Sequence, residues 1–363
     1  MFTNSNNNLV NAKTYKRIEW IDICKALGIY LVVLGHVGVI ESINIWKASF
    51  YMPLFFILSG LCFNEKKYIT FSQFLKKRFL SLFVPYIVFS IFLYLVWNGI
   101  AYLFFPLKIG TYLNLFTCMC LPASTTSCYG TVNWFLPALF SIEILFYFIC
   151  HGIKYSRKKC LILMILISMI AYIYPLITNY RLPLALDSAI MGLSFYGIGW
   201  NIRKLDFVYI EKFMMKHLLL SHFIIIFLLL FFAQLSFVNK MTNIRTLVYG
   251  DYVLYLINAI GTSFVFIILS IIINIDSKKI KILNVLKIIG KHTLVILLFN
   301  SVIANIYKTV IDINNFIINN KMVFMLNNIF ISIVILILCV IISIFINKYF
   351  PYFIGKKKYK SSM

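Results

Sequence analysis

Apolar residues recur in long stretches along most of this chain, separated by short polar segments. Ten stretches approach the roughly 20 residues that a helix needs to cross the hydrocarbon core of a bilayer. They lie near 20–40, 48–64, 79–105, 132–150, 160–179, 184–201, 217–238, 249–275, 288–311 and 322–347, the second and sixth being short or interrupted by glycine. The alternation typical of barrel strands is absent, so the pattern predicts ten transmembrane α-helices.

The composition supports this interpretation and excludes other classes of protein. The 363 residues are 62% apolar and 12% charged, whereas soluble domains are about 45–50% apolar and about 25% charged. The chain has too little polar surface for a soluble fold and too much apolar surface for disorder. The net charge of +23 would suit a nucleic-acid-binding protein only if the basic residues clustered on a soluble face. We therefore expect an all-α, polytopic integral membrane protein.

The basic residues alternate between the predicted loops. One alternating set of loops and tails holds 26 of the 34 Lys and Arg residues, and Lys25 lies inside the first span. The opposite side holds Lys47, Lys108, Arg181, Lys240, Arg245, Lys308 and Lys321. The positive-inside rule then predicts that both termini are cytoplasmic. We expect a cytoplasmic tail at 1–17, a membrane domain at 18–348 and a basic cytoplasmic tail at 349–363, in the plasma or inner membrane.

The first predicted span contains ionisable residues, which are costly within a bilayer and mark candidate functional sites. Lys25 and His36 are about 20° apart in helical projection, and Asp22 lies about 40° to the other side, so all three share one face. His36 lies about 16 Å deeper than Lys25. An interfacial Asp22–Lys25 pair with a packed histidine is the structural alternative. Three ionisable groups on one face favour His36 as a general base for a substrate with an anionic, cytoplasmic part.

The first two spans resemble those of a known family of membrane enzymes. Residues Asp22 to Ile29, followed by Val32 to His36, resemble the first helix of the acyltransferase 3 family, whose hallmark is a basic residue, ten intervening residues and a histidine. Lys25 and His36 occupy those two positions. Phe50 to Gly60 is similar to the aromatic-rich FYMPLFFFLSG stretch of that family.

Three later segments extend the resemblance along the chain. Lys77-Arg78 followed by Val84 to Tyr86 resembles the basic-then-PY start of the third helix, and Val132 to Leu136 resembles the WFL element at the fourth. Gly290 to Val295 is similar to a late GKNSL helix start, after which the family often carries a histidine. Asn300 stands at that position here, so a single histidine remains as the candidate base.

The resemblance implies transfer of an acyl group, usually acetyl, from cytoplasmic acyl-coenzyme A to a hydroxyl of a cell-surface or lipid-linked glycan. Lys25 and Arg78 are the residues expected to contact the coenzyme A phosphates, with Lys76 and Lys77 as weaker candidates. His36 would deprotonate the acceptor hydroxyl or carry the acyl group transiently. No metal is expected.

Other intramembrane polar residues are candidates for supporting roles. Asp22, Glu143 and Asp187 are placed with His36 in the catalytic set, because a carboxylate can orient an imidazole base. For Glu143 and Asp187, a structural hydrogen bond to a neighbouring helix is an equal alternative.

Polar and aromatic residues near the candidate base are the expected binding groups. Ser59 on the donor side, and Asn133 and Asn300 on the acceptor side, could donate hydrogen bonds to a developing oxyanion or serve helix packing. Trp134 could stack on a sugar or adenine ring or mark the membrane interface.

Two other functions remain open. A polysaccharide polymerase or lipid-linked-sugar transporter would also have many spans, but the seven outer basic residues are dispersed over several loops, which argues against it. A structural or sensor protein is disfavoured by the charged face of the first span. In the loop at 106–131, two of Cys118, Cys120 and Cys128 could form a disulfide. The Cys-x-Cys spacing also resembles a soft-metal site, but no histidine or fourth cysteine lies nearby, so the structural bridge is favoured.

Overall fold

The computed structural model describes residues 17–67, 70–104, 119–122, 134–310 and 320–356. Within these ranges the chain is helical apart from turns, loops and one isolated antiparallel bridge between Asn243 and Val248. Cys118, Cys128 and Asn133 lie outside the described residues, and Cys120 has a free thiol. The prediction of an all-helical protein is confirmed for the part of the chain described.

The described residues form fourteen α-helices along the chain. They are α1 (Glu19–Val37), α2 (Glu41–Ala48), α3 (Tyr51–Cys62), α4 (Phe71–Arg78), α5 (Val84–Phe104), α6 (Phe135–Gly152), α7 (Arg157–Ile177), α8 (Leu186–Ile202), α9 (Phe207–Lys216), α10 (Leu218–Asn239), α11 (Tyr252–Asp276), α12 (Asn284–Lys291), α13 (Thr293–Val310) and α14 (Lys321–Tyr349). A π-helical segment, Phe79–Phe83, joins α4 to α5.

Each predicted span overlaps one or more of the observed helices, but not every helix is long enough to cross a bilayer alone. Among the described residues, eight helical segments have the length and hydropathy of a span. A ninth is added if Lys281–Lys291 and Thr293–Lys308, which meet at an 82° bend, are one broken span. The sixth predicted span is α8, with only 17 residues. The multi-pass character is thus shown, whereas the number ten and the orientation of the termini stay predictions.

Helix α8 lies at the centre of one half of the bundle, packed against α3, α6 and α7. Its backbone approaches α3 through glycines on both helices. A Cβ at Gly60 would collide with the carbonyl of Tyr196, and a Cβ at Gly199 would collide with the carbonyl of Ile57. Small residues permit such close contact between helices in membranes. Gly60, in the Ser-Gly pair of the second predicted span, is therefore required for the close packing of α3 against α8.

Helix α1 lies at the centre of the other half, in contact with α3, α11, α12, α13 and α14. The closest approach is that of α12, where a Cβ at Gly290 would collide with the backbone of Asp22. By contrast, α10 is peripheral: Leu219, Phe223 and Phe227 lie along one exposed face. Exposed apolar faces of this kind suit contact with lipid tails. The face of α1 that carries Asp22, Lys25 and His36 is thus held inside the bundle.

We predict that Gly60→Ala destabilises the protein because the added methyl cannot be accommodated between α3 and α8. Overpacking costs typically about 1–3 kcal/mol, and more where backbone must move. The melting temperature of the purified protein in detergent measures the effect. Gly152→Ala is the matched control, since a Cβ there meets nothing within 4 Å. Equal melting temperatures for the two variants would contradict the prediction.

Candidate active site along the first helix

One face of α1 lines three adjoining cavities. Its residues in these walls are Ile21, Asp22, Lys25, Ile29, Val32 and His36. From Asp22 onward they recur at alternating spacings of three and four, which define a single helical face. Lys25 belongs to the first and second cavities, and Met52 belongs to the second and third. The cavities thus follow one another from the N-terminal end of α1 to His36.

The first cavity, named here the Arg203 cavity, has a volume of about 400 Å³ and a basic lining. Arg17, Lys25 and Arg203 contribute positive charge, and Asp22 is the one acid among the described residues of its wall. Arg17 binds Asp22 through two hydrogen bonds, one of them from Nη2 to Oδ1 at 2.7 Å. The partner of Asp22 is therefore Arg17 rather than Lys25. The wall therefore holds more positively charged side chains than negatively charged ones.

Arg203 is held at this cavity by Glu65. The guanidinium of Arg203 lies 3.6 Å from the Glu65 carboxylate and also donates to the carbonyl of Phe63. Trp200 Nε1–H donates to Glu65 at 3.2 Å, and Arg157 stacks 3.3 Å above the Trp200 ring. Burial opposes ionisation of Glu65, but hydrogen bonds and the two arginine charges outweigh it, so the pKa of this carboxyl lies below its ordinary value.

The second cavity, the Arg78 cavity, measures about 320 Å³ and is mostly apolar. Lys25, Ser59 and Arg78 are among its few polar side chains. Arg78 Nε lies 2.7 Å from Glu143 Oε2, and the Tyr196 hydroxyl donates to Glu143 Oε1 at 3.5 Å. The π-helical segment begins directly after Arg78, a type of irregularity that is frequent at functional sites.

The third cavity, the Arg245 cavity, is the smallest, at about 120 Å³. His36 reaches it from α1. Its polar wall consists of His36, Tyr51, Trp134, Asn243, Arg245 and Ser301. Hydroxyl, amide, indole and guanidinium groups surrounding an imidazole form a wall suited to a polyhydroxylated ligand.

The loop that presents Arg245 is held by a buried ion pair. Arg181 Nε lies 2.5 Å from Asp187 Oδ2, and Arg181 Nη2 donates to the carbonyl of Arg245 at 2.7 Å. The backbone N–H of Arg245 donates to Asn243 Oδ1 at 3.0 Å. Asp187 therefore reaches the Arg245 cavity only through Arg181, as a positioning residue.

The proposed carboxylate partner of His36 is not found in the described parts of the chain. Glu143 pairs with Arg78, Asp187 pairs with Arg181, and Asp22 pairs with Arg17 at the far end of α1. The physical reason is that a buried acid is stabilised more by a fixed guanidinium than by a neutral imidazole. These three acids hold basic residues in place instead of orienting the base.

Of the other predicted residues that the structure describes, four line the cavities and Asn300 does not. Lys25, Arg78, Ser59 and Trp134 line the cavities, although the Ser59 hydroxyl donates to the carbonyl of Phe55 at 2.8 Å. Asn300 is not among the lining residues. Its amide donates to the Ile296 and Leu297 carbonyls of its own helix, so the predicted binding role for Asn300 is not supported.

Sequence reasoning missed several residues that the fold brings to His36. Tyr51 comes from α3, Asn243 and Arg245 from one loop, and Ser301 from α13. Tyr51 lies within the Phe50–Gly60 stretch that resembles the family, and Arg245 was visible only as one of the dispersed outer basic residues. No local pattern places these residues beside His36, because their proximity arises from tertiary packing alone.

The fold and these cavities define a multi-pass helical membrane protein with a row of three cavities inside its bundle. The family model of the acyltransferase 3 family, described as an acyltransferase domain, matches residues 18–348. The chain therefore belongs to that family and is a membrane acyltransferase, as the resemblance implied. The comparisons with curated proteins and with solved structures give no match.

We predict that Arg78 and Glu143 are energetically coupled. Removing one member of a buried ion pair costs about 3–5 kcal/mol, whereas replacing both by apolar residues is often close to neutral. Arg78→Met and Glu143→Leu should each lower the melting temperature in detergent, and the double variant should recover most of the loss. Strictly additive losses would contradict the pairing.

Proposed function

We propose that this acyltransferase moves an acetyl group from cytoplasmic acetyl-coenzyme A to a hydroxyl of a cell-surface or lipid-linked glycan, in the plasma or inner membrane. The observation that carries the proposal is the single face of α1, which joins a basic cavity to a polar cavity containing His36. Two chemically different substrates can thus meet within one bundle.

The Arg203 cavity supplies the chemistry that a phosphorylated donor requires. Lys25 and the guanidinium groups of Arg17 and Arg203 can bind phosphate oxygens through charge-assisted hydrogen bonds. The Arg78 cavity continues from Lys25 toward His36 between apolar walls. The distance along α1 from Lys25 to His36, about 16 Å by helical rise, is the distance that the thioester arm has to cover.

His36 acts as the general base in this proposal. Its imidazole takes the proton of the acceptor hydroxyl while the hydroxyl oxygen attacks the thioester carbonyl carbon. The new C–O bond forms, the C–S bond breaks, and the coenzyme A thiolate leaves and receives the proton from the imidazolium. Trp134 provides a ring against which a sugar can stack, and Asn243 and Ser301 can hydrogen-bond its hydroxyls.

We predict that His36→Ala abolishes acyl transfer, because no other base lines the described cavity wall beside the acceptor. General-base catalysis contributes typically about 10²–10⁴-fold. Transfer of labelled acetyl from acetyl-coenzyme A to glycan by protein in nanodiscs measures the loss. The control is His222→Ala, since His222 pairs with Asp276 at 3.2 Å, away from the cavities. Wild-type activity in His36→Ala would overturn the mechanism.

Donor binding provides a second prediction. Arg203→Gln should raise the KM for acetyl-coenzyme A about tenfold or more, the usual effect of losing a hydrogen bond to a charged group, with little change in kcat. Added salt should weaken donor binding by the wild type more than by the variant. Lys278→Gln is the control because Lys278 pairs with Glu211 at the surface. An unchanged KM would exclude Arg203 from the donor site.

One observation keeps the transport or polymerase alternative open. Lys47, Arg245 and Lys308 belong to separate outer loops in the sequence, but the fold directs their charges toward His36. Their dispersion along the chain therefore does not argue against this alternative. A lipid-linked sugar diphosphate would suit such a cluster. Deleting the gene and analysing the surface glycan by mass spectrometry separates the functions: lost acetylation supports transfer, whereas altered chain length with intact acetylation supports the alternative.

A further inference from the structure

The acceptor side of His36 has a pronounced positive charge. Arg245 lines the same cavity as His36, and Lys47 Nζ lies against Gly35, the residue before it. The charge of Lys308 also acts on the imidazole, and no carboxylate among the described residues does so. The three basic residues come from separate parts of the chain, namely the loop before α11, α2 and α13. The fold has therefore gathered cations at the end of α1 opposite to the donor cavities.

Lys47 is the most deeply buried of these cations, with 5% of its surface exposed. Its Nζ lies 4.9 Å from the centre of the Tyr51 ring, which lines the Arg245 cavity. The missing side chain of Gly35 makes room for this ammonium group, since a Cβ there would lie 2.5 Å from Nζ. No carboxylate in the described ranges forms an ion pair with Lys47, although an isolated buried ammonium is costly.

Arg245 is held with its side chain in the cavity wall. Its backbone is bound on one side by Arg181, which is itself fixed by Asp187, and on the other by Asn243. The Asn243–Val248 bridge closes the same loop. A guanidinium presented on a rigid loop loses little conformational entropy when it binds a ligand, and its planar fork matches carboxylate and phosphate oxygens.

We propose that the acceptor is anionic and that its negative group binds Arg245, with Lys47 and Lys308 adding to the field, while its hydroxyl lies at His36. This inference rests on the proposed function and specifies its acceptor class. The shared chemistry is an oxyanion close to a sugar hydroxyl. It can belong to an acidic sugar, as a carboxylate, or to the diphosphate of a lipid carrier.

Binding to the purified full-length protein in nanodiscs tests the proposal. Saturating coenzyme A occupies the basic donor cavity, so that added anions report on the acceptor side. Isothermal titration then compares glucose, glucuronate and inorganic diphosphate. Glucuronate differs from glucose by its carboxylate, which isolates the effect of charge.

We expect at least one of the two anions to bind about tenfold or more tightly than glucose. Arg245→Gln should reduce this ratio toward one, whereas Lys240→Gln, which removes a basic residue from the same loop but outside the cavity wall, should preserve it. Preference for glucuronate identifies an acidic sugar as the source of the anion, and preference for diphosphate identifies a carrier lipid.

Three results would overturn the inference: no measurable binding of either anion, equal binding of glucose and both anions, or an unchanged ratio in Arg245→Gln. A fall in kcat without a change in anion binding would likewise assign Arg245 to the reaction rather than to the acceptor. His36-dependent transfer from acetyl-coenzyme A, measured in parallel, separates the two proposals. If that transfer persists without any charge preference, only the acceptor inference fails.

Discussion

The structure depends on the pairing of buried acids with arginines. A carboxylate inside an apolar bundle is costly unless a cation and hydrogen bonds compensate it. Asp22, Glu143 and Asp187 are each almost fully buried, and each binds an arginine. Each pair is associated with one cavity. Arg17 and Asp22 line the first cavity, and Arg78, which binds Glu143, lines the second. Arg181, which binds Asp187, supports the loop of the third. The ion pairs that neutralise the buried acids thus also hold in place the basic residues along the cavities of α1.

The helical content and the common face of Lys25 and His36 on α1 could be predicted from sequence because both follow from short-range periodicity. The spacing of Lys25 and His36 specifies one helical face in any environment, and the structure places both in cavity walls. The number of spans was less accessible. Helix α8 is buried among other helices, so it needs neither the length of a full span nor an unbroken apolar sequence. The ninth predicted stretch bends at His292. Hydropathy alone therefore cannot show whether either segment crosses the membrane.

The partners of the charged residues could not be predicted, because a sequence gives residue types without their tertiary neighbours. Glu143 and Asp187 were reasonable candidates for orienting an imidazole, yet the arginines that bind them are 65 and six residues away in the chain. The same limitation concealed the outer cations. Lys47, Arg245 and Lys308 are isolated in sequence, and only helix packing and the loop before α11 bring their charges to His36.

The mostly apolar Arg78 cavity has a consequence for the permeability of the membrane. In the proposed reaction, donor and acceptor approach from opposite ends of one rigid helix, and only the acyl group passes between them. No alternating opening of the bundle is then required, unlike in a transporter that must move its whole substrate past a midplane site. The apolar walls between the two basic ends oppose the passage of ions, so the proposed reaction would deliver a chemical group across the bilayer while the barrier to charge stays intact.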